Sequence, residues 1–107
     1  MLADPLLAQA AAATLETVSL RTSGGQDVSA SLARPSAAKA PTIMLIHEWW
    51  GLNDQIKAVD REFANEGYLA LAIDLYGGKV VSVPDDARSF MKQVDPEVAT
   101  DTVSSWV

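Results

Sequence analysis

The chain has 107 residues, 49% of them apolar and 21% charged, with 14 acidic against 8 basic side chains and a formal charge of −6. That length holds one domain with a modest core, and that balance is globular rather than disordered. No Lys/Arg cluster stands out, which argues against nucleic acid or an anionic membrane as partner, and the absence of cysteine excludes disulfides, thiolate metal sites and a cysteine nucleophile within these residues.

In chain order, "MLADPLLAQAAAAT" comes first. Ala8-Gln9-Ala10 looks like an export cleavage site, but Asp4 is acidic and the first basic residue is Arg21, so no basic leader precedes it. It reads as a short helix, with Asp4 as N-cap and Pro5 at the first helical position. A cytoplasmic protein is expected; a periplasmic one stays open, because a trimmed leader would leave similar residues. No apolar run reaches the roughly 20 residues that span a bilayer.

Residues 15–21 and 28–34 alternate apolar and polar side chains, and "TSGGQD" between them supplies turn chemistry, so an antiparallel hairpin is expected. After "PSAAKAP", the run "TIMLIH" is apolar on both faces, as in a strand covered by helices on both sides. Asn53 is placed to cap a helix running to about Glu66, with Ile56, Val59 and Phe63 inward and Lys57, Arg61 and Glu62 outward. Gly67 stops it. "YLALAID" is a second buried strand, and strand–helix–strand at this spacing is a parallel βαβ unit. A helix is expected near Asp85 carrying Ala87, Phe90 and Met91, and another from the Asp95 cap with Pro96 at its first position.

Ligands of open α/β sheets bind outside the carboxyl ends of the parallel strands. His47 to Gly51 and Asp74 to Gly78 lie at two such ends, which brings His47, Glu48, Trp49, Trp50, Asp74 and Tyr76 to one face. A zinc protease would need H-E-x-x-H, but the fifth residue is Gly51. A metal held by His47, Glu48 and Asp74 has no characteristic spacing behind it. Neither a G-x-G-x-x-G nor a P-loop follows the strand, and no G-x-S-x-G elbow occurs.

"TIMLIHEWWGLNDQIKAVDREFANEGYLALAIDLYGG", Thr42 to Gly78, resembles the N-terminal part of the dienelactone hydrolase family of the α/β-hydrolase superfamily. The shared pattern is H-E-x-x-G-L-N, a helix, then E-G-Y-x-A-x-A-x-D-L-Y. The resemblance implies an N-terminal half of that α/β fold over residues 1–107. It implies hydrolysis of an ester or enol-lactone through a covalent acyl-enzyme, without cofactor or metal. It gives the Trp49 amide the role of oxyanion donor and Glu48 that of tuning the nucleophile, while Gly51 lets the backbone turn away. His47, Trp50 and Tyr76 fall on the pocket. Each has a plainer alternative: a strand-end hydrogen bond for His47, cover for the sheet end for Trp49 and Trp50, packing for Tyr76. Asp74 is expected to fix its loop, and Arg88 to sit on a solvated helix face.

The chain departs from the family in length. The triad of nucleophile, acid and histidine would lie beyond "DTVSSWV", so the chain alone is not expected to turn over, and whether the nucleophile is Cys or Ser stays open. A fragment, a half of a split protein, or a chain completing its sheet with a second chain or copy are the expectations. A non-catalytic binding or assembly module is the alternative.

Overall fold

Turn chemistry folds the first two strands onto each other in a computed structural model that describes residues 5–107. β1 (Glu16–Arg21) and β2 (Asp27–Ala33) pair antiparallel, Glu16 opposite Leu32 and Arg21 opposite Asp27. Ion pairs close both ends of the hairpin, Arg21–Asp27 at 3.0 Å and Arg34–Glu16 at 2.7 Å. The Arg34 hydrogen bond and charge hold the Glu16 carboxyl below its usual range. Both pairs are exposed, so they set register more than stability. α1 (Pro5–Ala12) precedes the hairpin; the Asp4 cap expected for it falls outside the described residues.

β3 (Thr42–Ile46), α2 (Asp54–Asn65) and β4 (Leu69–Ile73) form the βαβ unit, with Thr42 opposite Leu69 and Ile46 opposite Ile73 in parallel register. The sheet order is β1-β2-β4-β3, because β4 also pairs antiparallel with β2. β4 is therefore interior, and Ala70 to Ile73 are buried. β3 lies at the open edge that an incomplete sheet would leave, and its faces are less covered than the apolar run suggests: Ile43 to Leu45 are half-buried and Ile46 is 52% exposed. An apolar run shows what a strand would bury, not whether a neighbour is present to bury it.

Local chemistry sets both ends of α2. The Asn53 side chain accepts from the Ile56 N–H at 3.1 Å, a cap worth about 1 kcal/mol. At the other end Gly67 takes φ +99°, its N–H bonding to the Ala64 carbonyl and that of Tyr68 to the Phe63 carbonyl. That pair of bonds is a Schellman stop. The buried face is not the expected one: Ala58, Asp60 and Ala64 are buried, whereas Ile56, Val59 and Phe63 are only half-buried. Ala33 and Ala70 present small side chains to Ala64, so the helix seats closely and its bulky residues flank the contact. Arg61 does not point away either. Its guanidinium donates to the Thr14 hydroxyl and carbonyl and to the Arg34 carbonyl, tying the end of α1 to the end of β2.

The opposite sheet face packs Ala30, Leu71 and Ile73 beneath Val103 and Trp106 at the end of α4 (Pro96–Ser105). α3 (Pro84–Gln93) precedes α4, whose Asp95 cap accepts from the Glu97 N–H at 2.8 Å. α4 also grips the hairpin tip, Asp101 accepting from the Ser23 hydroxyl at 2.9 Å and the Gly24 N–H at 3.2 Å. Among the described residues no helix is long and apolar enough to cross a membrane.

Candidate active site

β3 and β4 run parallel, so the loops that leave them emerge side by side. His47 joins the two. Its Nε2 lies 2.9 Å from the Leu75 N–H and its Nδ1 2.7 Å from the Glu48 carbonyl. A backbone N–H can only donate, so Nε2 accepts and Nδ1 carries the proton, which fixes a neutral ring of one tautomer. The Tyr76 ring stacks edge-on against it at 4.7 Å, and Phe90 backs Tyr76 at 5.5 Å. Burial pushes the Tyr76 phenol up.

Asp74 locks the second loop, as its sequence position suggests, accepting from Tyr76 N–H at 2.9 Å and Gly78 N–H at 2.8 Å. The first loop closes in a turn from the Gly51 N–H to the Glu48 carbonyl, 3.1 Å, with Gly51 at φ +91°. Val81 N–H reaches the Trp50 carbonyl at 3.0 Å. Both His47 nitrogens are engaged by backbone, and among the described residues no group of three or more His, Cys, Asp or Glu side chains is placed to hold a metal ion.

Between this loop and the α3–α4 corner lies a cavity of about 260 Å³. Of the site residues expected from sequence, His47, Glu48, Trp49 and Tyr76 line it. Trp50 and Gly51 do not: the Trp50 ring stands edge-on to Trp49 at 5.1 Å, and Gly51 acts through its backbone. The back wall of Met91, Val94 and Pro96 escaped the sequence reading. Met91 was legible as a helix residue, but nothing in its spacing showed which loop it would face. Arg88 is not merely solvated: it pairs with Asp85 at 2.8 Å and stands 6.0 Å over the Trp49 ring. The Glu48 carboxylate is exposed, and neither it nor the Trp49 N–H has a hydrogen-bond partner among the described residues. A larger hollow of about 580 Å³ between the hairpin and α3–α4 shares Tyr76 but not Glu48 or Trp49.

Residues 28–106 match the dienelactone hydrolase family. The chain belongs to that family. A "Putative carboxymethylenebutenolidase" of Saccharolobus solfataricus is 52% identical over 54 residues, 50% of this chain and 21% of that protein. A "Putative hydrolase fragment YghX" of Escherichia coli is 36% identical over 77 residues, 68% of this chain and 66% of that protein. The crystal structure of a "Putative Dienelactone Hydrolase" from Klebsiella pneumoniae superposes with a TM-score of 0.65 at 27% identity, over 87% of this chain and 43% of that one. The aligned stretch thus spans about a fifth of the length of the Saccharolobus relative, and the chain covers less than half of the Klebsiella protein. As a dienelactone hydrolase family chain it carries the N-terminal half of the α/β-hydrolase fold, and the loop at the end of β3 belongs to that half.

Proposed function

We propose that this chain supplies the oxyanion loop of an enzyme that hydrolyses an ester or enol-lactone through a covalent acyl-enzyme. One observation carries the reading: among the described residues the Trp49 N–H and the Glu48 carboxylate are both unpaired beside one cavity, on a loop fixed at His47, Gly51 and Trp50. The 107 residues hold no cysteine and no G-x-S-x-G, so the nucleophile comes from sequence outside them. When that nucleophile attacks the carbonyl carbon, the pair of electrons displaced onto oxygen meets the Trp49 N–H. The loop is already in place, so no reorganisation opposes the step, and such a donor contributes about 10²–10³ in rate. Glu48 accepts the hydrogen bond or proton of the nucleophile as it becomes charged. Cleavage of the C–O bond, with the leaving oxygen taking up the nucleophile's proton, releases the alcohol of an ester or opens the ring of an enol-lactone; the resulting acyl-enzyme is then hydrolysed by water. The reading needs no cofactor.

The test is an activated-ester assay on the chain alone and on the chain joined to the remainder of a family member. The chain alone is expected to be blank and the completed enzyme active, with Glu48→Ala lowering turnover. Unchanged kinetics in Glu48→Ala would remove that carboxylate from the mechanism, and turnover by the chain alone would remove the outside nucleophile. The open β3 edge favours a second reading, a binding or assembly module whose sheet is completed by another chain. Association without ester turnover in the completed protein would select it.

A further inference from the structure

Asp60 stands apart from everything the site uses. It lies on α2 one turn before Ala64, which packs on the sheet, is 0% exposed, and among the described residues neither carboxylate oxygen has a hydrogen-bond partner. The elements packed on α2 offer it no counter-charge. α1 is "PLLAQAAA" and β4 is "LALAI", without a titratable group, and β3 has none. On β2 the one charged residue is Asp27, already paired with Arg21, and Arg34 just beyond is paired with Glu16. On α2 itself, Arg61 is engaged with Thr14 and Arg34, and Lys57, one turn earlier, makes no ion pair with Asp60.

An ionised carboxylate in such a seat has lost its water and gained nothing in exchange, whereas the protonated acid is far less costly to bury. Desolvation accordingly pushes the Asp60 carboxyl up to about 7, with Arg61 pulling weakly the other way. Release of α2 would not stay local. Asn53, its cap, follows Gly51 and Leu52 directly, and the Asn53 N–H bonds to the Gly51 carbonyl at 2.9 Å.

We propose that the seat of α2 on the sheet is a proton-operated latch, closed while Asp60 is protonated and loosened when it ionises, with the His47–Leu52 loop moving as the helix moves. The inference stands independently of the hydrolase reading. The direction follows from linkage: the folded chain holds this proton to higher pH than the unfolded chain does. Folding is therefore progressively disfavoured as pH rises from the ordinary carboxylate range through about 7.

Equilibrium unfolding of the 107-residue chain and of Asp60→Asn, from about pH 5 to about pH 8, tests it. The folding constant of the wild type relative to the variant is expected to fall roughly a hundredfold across that window. A flat ratio overturns the proposal. Should Asp60→Asn not fold, carboxyl ¹³C NMR on the wild type gives the answer directly. A midpoint near 7 for Asp60, shared by the Trp49 and Trp50 indole resonances, is expected. An ordinary carboxylate midpoint overturns the latch, and indoles that ignore the titration overturn its coupling to the loop.

Discussion

At the scale of single residues, two glycines with similar backbone angles do different work. Gly51 and Gly67 both have positive φ, +91° and +99°, a region that costs a side-chain-bearing residue about 1–2 kcal/mol. Nothing lies within 4 Å of a Cβ built on Gly67, whereas one on Gly51 would run into the Lys79 carbonyl oxygen and stand 3.1 Å from the Tyr76 ring. Gly51→Ala is therefore expected to destabilise the chain by about 2–4 kcal/mol, against about 1 for Gly67→Ala. Thermal melts of the two variants check this; equal shifts would show that the Lys79 loop yields freely.

At the scale of elements, β3 is the exposed liability. An edge strand offers its unpaired N–H and C=O groups to any passing strand, and this one has no charge, bulge or internal proline to discourage it. Ile46 is the natural place to add one, since it is already half exposed. Ile46→Lys is expected to reduce self-association in sedimentation velocity while leaving the circular dichroism unchanged; unaltered association would direct attention to other apolar surface. The same strand shows what a sequence reveals. The ends of α2 were legible because Asn53 and Gly67 act on their own neighbours. The loop from His47 to Gly51 was legible as a strand-end loop because the apolar run before it ends abruptly at His47 and Gly51 follows. The place of β2 beside β4 was not, because pairing between Ala30 and Ile73 leaves no local trace. Nor was the buried stripe of α2, where alanines opposite alanines reverse the usual rule that bulky residues face inward. Asp60 was invisible for a related reason: aspartate is normally a surface residue, and only the assembled fold strips its water.

At the scale of the whole molecule, α4 and the hairpin are held together through Asp101. Hydrogen bonds from Thr22 and Ser23, with a further one from the Gly24 N–H, hold its carboxyl below the usual carboxylate range. Its folded-state pKa is lowered, so its contribution is present above the unfolded value and disappears as pH falls through the folded one. Asp101→Asn is thus expected to be less stable than wild type near neutrality and to converge with it in acid. A gap that persists in acid would mean the carboxyl's charge is not what matters. The sheet order carries one more implication, for synthesis rather than for the finished protein. β4 is the last of the four strands to be made, yet it is the one that both β2 and β3 need. Until Ile73 has left the ribosome, the hairpin and β3 have no common neighbour. The nascent chain must hold back from collapse, or be held back, through the translation of the whole of α2.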